Sequence, residues 1–336
     1  MATKALPEGK PPLYFLKTML HSLPRGNLVV SPDIGIDVGV SKTKGKYLVS
    51  SSDPITGTKV RMGWHAVNVS ANDVATSGIM PDVLNIVALF PSKTNAITIQ
   101  SVMSEINRTA FDLGITVAGG HTEITPFLKR PIITVTAIGS GNKFVTAADA
   151  RAFDSILMTK TAGIEGTSIL AKLSKVKELL PQNVTRRGNL LIKDLSIMKE
   201  ANSAFRTGNV HAMHDVTEGG VLGAVYEMSV ASNLGFEIFE SSIPVDESTA
   251  AICSKLSINP LKLIGSGSLL IACSKRSSEI IAGRLRSIGV ECNTIGRFLP
   301  LRKGRFLQIG RKRVSVTDIS IQDELWKALR KYGNLS

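Results

Sequence analysis

The acids of this chain gather in short clusters beside glycines and small residues, an arrangement suited to hard-metal and phosphate chemistry. Four stations stand out in the first half: Pro32-Asp33-Ile34-Gly35-Ile36-Asp37-Val38-Gly39, Ser51-Ser52-Asp53-Pro54, Asn72-Asp73-Val74-Ala75, and Gly119-Gly120-His121-Thr122-Glu123. Magnesium takes oxygen ligands, commonly one or two carboxylates per ion, with phosphate oxygens and water completing the octahedron. Asp73 is the most telling, because its neighbours Val69, Ala71, Val74 and Ala75 are small and apolar. A carboxylate on such a helical face is costly to bury unless a metal or a donor pairs with it. Gly119 and Gly120 end an apolar, strand-like run at 113–118, and paired glycines let a backbone turn sharply or a ligand approach with no Cβ in the way. Each station alone has an ordinary structural use. Asp33 and Asp53 beside prolines are turn formers, His121 is a structural histidine, and Glu123 is a solvated acid. Their recurrence is what points to a single nucleotide and metal site.

The second half adds two strand–glycine–helix transitions. In Thr161-Ala162-Gly163-Ile164-Glu165-Gly166-Thr167-Ser168 the amides around Gly163 and Gly166 are placed to hold a phosphate at a helix start. The stretch lacks the lysine of a Walker loop and the third glycine of a dinucleotide fingerprint, so an ordinary β–α turn is the alternative. In His214-Asp215-Val216-Thr217-Glu218-Gly219-Gly220, Thr217 can cap the following helix and Glu218 suits its positive end. Capping leaves His214 and Asp215 without a structural assignment.

The elements that must position these groups alternate. Helical spacing is expected at 13–23, 59–77 and 96–113, with strands at 28–31, 46–52, 82–90 and 131–139. After a hinge at 143–154 come strands at 155–160, 210–213 and 268–273 and helices at 193–207, 221–231 and 277–288; 181–188 reads as a polar loop, and strands close the chain from 290 onward. The pattern is α/β (α+β), with domains at 1–144 and 145–336.

At 336 residues the chain exceeds one comfortable core, and 43% hydrophobic with 20% charged residues describes an ordinary globular protein. The net charge of +13 suits an anionic substrate or a nucleic acid. The densest basic segment, 302–313, reads as a strand–turn–strand and offers only Phe306 for base stacking, which argues against nucleic acid as the partner. Cys253, Cys273 and Cys292 are far apart and show no metal spacing, so they read as reduced, buried cysteines of a cytoplasmic protein. No apolar leader is present at 1–12, and no run is long enough to span a membrane.

Taken in order, these motifs resemble the PurM-like ATP-binding superfamily, which includes aminoimidazole ribonucleotide synthase, thiamine-monophosphate kinase, selenophosphate synthetase and the hydrogenase-maturation protein HypE. The resemblance runs from about 28 to 298. Ser51-Ser52-Asp53 is similar to the Thr-Thr-Asp station, and residues 72–81 to Asn-Asp-Leu-Ala-x-x-Gly-x-x-Pro. Gly119-Gly120-His121-Thr122 is similar to the family's Gly-rich turn, and 213–221 resembles the His-Asp-Pro-Thr-Arg-Gly-Gly-Val of the HypE branch. The resemblance implies a two-domain protein, a homodimer whose amino-terminal sheets join into a barrel, and ATP with Mg²⁺ as cofactors. It implies Asp37, Asp53 and Asp73 as metal ligands, Asn72, Gly119, Gly120, His121 and Thr122 at the nucleotide, and Asp215 and Thr217, beside His214, facing the acceptor or terminal phosphate. The implied activity is ATP-dependent phosphorylation or ligase-type condensation of a small, anionic metabolite. Departures are the absence of a cysteine in the sequence's last residues, Glu218 in place of arginine, and no acid near Gly265-Ser266-Gly267. They leave open a nucleotide-binding regulatory or maturation scaffold that has no turnover.

Overall fold

The computed structural model describes residues 28–55 and 61–333, together with Leu13, Lys17, Thr18 and Leu20; most of the helix expected at 13–23 lies outside the described residues. Backbone contacts divide the chain into an N-terminal unit built on Asp37–Phe144 and a C-terminal unit built on Val145–Ser336, to which Pro32–Ile36 also belongs.

The N-terminal unit contains β1 (Leu28–Val30), β2 (Gly39–Thr43), β3 (Lys46–Ile55), α1 (Met62–Thr76), β4 (Pro81–Pro91), α2 (Ala96–Leu113), β5 (Thr116–Thr125) and β6 (Ile132–Gly141). Its sheet runs β1-β2-β3-β6-β4-β5 and is mixed, because β4 and β5 pair in parallel while the other neighbours are antiparallel. One face is covered. Along β4, Leu84, Ile86, Ala88 and Phe90 are buried while Asp82, Asn85 and Val87 are exposed, the period-2 pattern of a strand packed on one side. Over β3 and β6 lies α1, buried at every residue except Trp64 and Val69. It comes unusually close to α2: a Cβ on Gly63 would lie 2.4 Å from the Val102 carbonyl oxygen. The bounds of α2 are fixed locally, since the Asn95 side chain accepts from the Thr98 N–H and Gly114 ends the helix at φ 70°.

The C-terminal unit contains β7 (Ser155–Thr159), α3 (Ile164–Leu170), α4 (Ser174–Leu179), α5 (Gln182–Leu190), α6 (Met198–Phe205), β8 (Val210–Asp215), α7 (Gly220–Ala231), β9 (Leu234–Phe239), α8 (Glu247–Leu256), β10 (Leu269–Cys273), α9 (Ser278–Arg286), β11 (Cys292–Pro300), β12 (Arg305–Ile309), β13 (Lys312–Ser315) and α10 (Glu324–Tyr332). The sheet order is β13-β12-β9-β11-β7-β10-β8, antiparallel except between β12 and β9. Its central strands β7 and β10 are buried at every residue, as continuous apolar runs covered on both faces should be.

Three readings of the sequence are corrected. The polar stretch 181–188 is helical, as α5, held by packing: a Cβ on its Gly188 would lie 3.2 Å from Ala171, Ile252 and Thr167 side-chain atoms. The single helix expected at 193–207 is a 3₁₀ turn, Leu191–Asp194, followed by α6. Strands do not close the chain, because α10 follows β13, burying Leu325, Ala328 and Leu329 against Ile169, Leu170, Ile252 and Leu263. All three cysteines are free and buried.

Candidate functional site

In the N-terminal unit the second and third stations meet on the covered face of the sheet. On β3, Ser51 and Asp53 stand two residues apart and pair with Ala137 and Val135 of β6, whose side chains are buried. Asp73 lies on α1 above them and is 9% exposed; its Oδ2 accepts a hydrogen bond from the Ser51 hydroxyl at 2.6 Å. The helix is anchored to the same strands through the Ser70 hydroxyl, which donates to the Val135 carbonyl at 2.9 Å. Asn72 is fully buried beside Asp73, and Asp37 is half-buried just ahead of β2.

The glycine pair differs from the sequence expectation. The strand does not stop at Gly119 and Gly120 but runs through them from Thr116 to Thr125, parallel to β4, with a bulge at Ala118 where the register moves from Leu84↔Val117 to Asn85↔Gly119. Gly120 adopts φ 153°, and a Cβ there would lie 1.8 Å from the Ile86 carbonyl oxygen; at Gly119 the nearest atom would be 3.9 Å away. The first glycine leaves its surroundings open, whereas the second is demanded by the neighbouring strand. His121, Thr122 and Glu123 are exposed on this edge strand, with His121 Nε2 3.4 Å from Glu123 Oε2.

In the C-terminal unit, His214 and Asp215 end the edge strand β8 and are almost wholly buried, at 2% and 1% exposure. His214 lies between two carboxylates: its Nδ1 is 3.7 Å from Asp215 Oδ1 and its Nε2 3.5 Å from Glu227 Oε2 on α7. Among the described residues, neither Asp215 oxygen receives a hydrogen bond. Thr217 contributes its carbonyl, which accepts from the Gly220 and Gly265 N–H groups. It does not cap α7. The cap position is Gly219, in left-handed conformation, and its N–H donates to Asp323 Oδ2 at 2.7 Å. Asp323 Oδ1 accepts from Leu325 at 2.7 Å, so one carboxylate caps both α7 and α10. Trp326 Nε1 donates to Glu218 Oε1 at 2.8 Å.

Around Gly163 the helix start is tight. Gly163 turns at φ 69°, and the Gly166 N–H donates to the Ile264 carbonyl at 2.9 Å. The absent Gly166 side chain makes room for Leu263, 2.5 Å from an ideal Cβ. Between these glycines stands Glu165, which sequence reasoning assigned no role. Burial pushes its carboxyl up to about 7, against a lowering hydrogen bond from Ser266 and with smaller upward pushes from Asp215 and Glu218. An acid therefore does reach the Gly265-Ser266-Gly267 turn, from α3 rather than from the turn itself. Asp323 is likewise raised to about 7, by burial first and then by Glu218, against the N–H groups it accepts from. Neither Glu165 nor Asp323 carries a sequence signal, because nothing local marks a glutamate between two packing glycines or an aspartate that caps a helix 104 residues away.

Two family models match the chain: the N-terminal domain of AIR synthase related protein over residues 35–140 and its C-terminal domain over 154–307. The chain belongs to the AIR synthase-related family. Among curated relatives, it is 27% identical over 259 residues to carbamoyl dehydratase HypE of Escherichia coli, covering 75% of this chain and 74% of that protein. The crystal structure of that hydrogenase maturation protein matches with a TM-score of 0.70 at 25% identity, over 80% of this chain and 85% of that one. A selenide, water dikinase of Clostridium botulinum is 28% identical over 241 residues, covering 68% of this chain and 67% of its own. A HypE crystal structure in complex with ATP matches with a TM-score of 0.69 at 20% identity, over 80% and 85% of the two chains, a likeness of fold. The fold of this AIR synthase-related protein is thus the two-domain PurM-like one. Among the described residues, no helix is long and apolar enough to cross a membrane.

Proposed function

We propose that the protein is an ATP- and Mg²⁺-dependent enzyme that phosphorylates an oxygen or similar nucleophile of a small metabolite, or condenses it through such an activated intermediate. The observation that carries the reading is Asp73, a buried carboxylate whose Ser51 partner stands two residues from Asp53 on the same face of β3. Carboxylate and hydroxyl oxygens are the hard donors that Mg²⁺ prefers, so Asp53, Asp73 and the Ser51 hydroxyl suit the ion by their chemistry, and Asp37, half-buried ahead of β2, is assigned to it as a further carboxylate. Bound Mg²⁺ would neutralise charge on the nucleotide's phosphates.

The nucleotide is assigned to Asn72, Gly119, Gly120, His121 and Thr122; within the C-terminal unit the Gly166 amide is already engaged by the Ile264 carbonyl, which leaves the Gly163 turn as that unit's own phosphate-holding candidate. Asp215, whose oxygens receive no hydrogen bond, would accept the proton of the acceptor's nucleophile, with His214 fixing its position. The Thr217 hydroxyl would donate to the phosphoryl group. Such catalysis works by positioning and electrostatic stabilisation. Named relatives that are a dehydratase and a dikinase, and a fold neighbour with bound ATP, support an enzyme over a scaffold. The net charge of +13 suits a nucleotide with an anionic acceptor. We assign the domains as 1–144 and 145–336, the location as cytoplasmic, and the assembly as a homodimer. The bare face of the N-terminal sheet, where Leu48 and Val87 are 38% and 40% exposed, supports the last point.

The test is calorimetry of ATP binding with and without Mg²⁺. Wild type should bind in a metal-dependent manner, and Asp73→Asn should lose about a hundredfold or more in affinity while keeping its circular dichroism. Metal-dependent binding undiminished in the variant would remove Asp73 from the site, and no binding by folded wild type would remove the enzymatic reading.

A further inference from the structure

The hairpin of β12 and β13 lies in the densest basic segment of the chain. Residues 301–316 contain six cations, Arg302, Lys303, Arg305, Arg311, Lys312 and Arg313, and no acid. That stretch therefore supplies close to half of the chain's net charge of +13. It folds as the outermost pair of the C-terminal sheet: β13 bonds to β12 on one side and, among the described residues, has no strand on the other. All four β13 residues are exposed, and Val314, 43% exposed, is flanked by Arg313 and Ser315. An open edge with exposed N–H and C=O groups is a template for another strand. A single lysine is an ordinary guard against such pairing, but here three consecutive exposed cations, Arg311, Lys312 and Arg313, stand at the turn and start of the edge strand.

The adjoining face is cationic as well. Glu237 of β9 is engaged by Arg297 at 3.0 Å and lies 3.9 Å from Arg313 Nε, so the one acid in this row is outnumbered. Arg313 also covers the Phe306 ring, with its guanidinium carbon 3.6 Å from the centroid. That covering discriminates between two anionic partners. Single-stranded nucleic acid is bound by stacking on exposed aromatic rings, and the only ring in this hairpin is already occupied. An extended peptide needs no ring; it takes backbone hydrogen bonds from the edge and charge pairs from alternate side chains.

We propose that the β13 edge binds an acidic, extended peptide segment of another protein, which adds to the C-terminal sheet as an eighth strand. The probe is a fluorescein-labelled octapeptide of alternating Glu and Val, titrated into the full-length protein and followed by anisotropy. Three comparisons accompany it: the same peptide with a central proline, an alternating Lys–Val peptide, and a dodecamer of uridylate. The acidic peptide should bind, weaken about tenfold or more with Arg311→Glu/Lys312→Glu, and lose comparable affinity with the proline. The exposed positions of those substitutions should leave the circular dichroism unchanged. Equal binding of the proline peptide would overturn strand addition. Tighter binding of the uridylate dodecamer would make the surface a nucleic-acid site instead. No binding of the acidic peptide at low salt would leave the cations as edge guards and end the proposal.

Discussion

The two sheets of this molecule bury themselves differently. In the C-terminal sheet, Ser155–Thr159 and Leu269–Cys273 are buried at every residue, so their apolar runs are continuous. In the N-terminal sheet, Ile132–Gly141 alternates buried and half-buried residues, and Thr116–Thr125 is exposed at all but its last residue. The C-terminal sheet holds Asp215 and His214 inside the protein at a strand end, 1% and 2% exposed; the N-terminal sheet is the more open one. The second keeps a bare face and a long open edge, and along that edge lie Gly119 to Thr122. Strands covered on both faces position groups rigidly; a half-covered sheet has surface left for another molecule.

The largest effect expected from this contrast is at the glycine pair. Gly120→Ala places a Cβ 1.8 Å from the Ile86 carbonyl oxygen, so β4 and β5 must part; Gly119→Ala meets nothing closer than 3.9 Å. In urea titrations Gly120→Ala should lose about 3 kcal/mol or more, and Gly119→Ala about 0.5 kcal/mol or less. Equal losses would mean the close strand approach does not dictate the glycine. The bare face gives the next effect. Lysine at both Leu48 and Val87 should leave the unit folded but shift sedimentation from dimer to monomer, because two charges would be buried without partners. A monomeric wild type, or a double variant that remains dimeric, would exclude this face as the interface.

The parts of the fold legible in the sequence were those with local causes. Helix α2 matches its expected bounds because Asn95 and Gly114 mark its ends, and the 302–313 hairpin follows from its turn and alternation. Helix α5 was misread because Gln182 to Leu190 carries a polar sequence whose helicity depends on Gly188 meeting Ala171, Thr167 and Ile252. The same division holds at the candidate site. Asp73 stood out as an acid on an apolar helix, whereas Glu165 and Asp323 acquire their character from distant burial and from Ser266 and Gly219.

Those two carboxyls make the C-terminal unit sensitive to pH in a stated direction. Glu165 is raised from 4.5 to about 7 on folding, so the native state holds a proton that the unfolded chain releases. Stability from this group is complete below about 4.5 and is lost as pH rises through 7. Wild type should therefore show a falling urea midpoint between pH 5 and 8, and Glu165→Gln, which stays neutral, should flatten that fall. The difference at pH 8 should be on the order of a few kcal/mol. A variant with the same slope as wild type would show that Glu165 does not carry the proton.

The smallest effect concerns the clasp between α7 and α10. Asp323 accepts from Gly219 and from Leu325, each at 2.7 Å, and so satisfies one N–H that lacks an intrahelical partner at each of two helix starts. Asp323→Ala should cost about 1 to 2 kcal/mol, near the upper part of the range for a lost cap because two helices lose theirs together. Asp323→Asn keeps one carbonyl oxygen and should recover about half of that loss. Hydrogen exchange separates this from a general weakening: the amides of Gly219 and Leu325 should lose protection in the alanine variant while those of β10, buried at every residue, keep theirs. Uniform loss of protection across the C-terminal sheet would instead make Asp323 a part of the unit's core, with no separate role as a clasp at the His214–Gly220 motif.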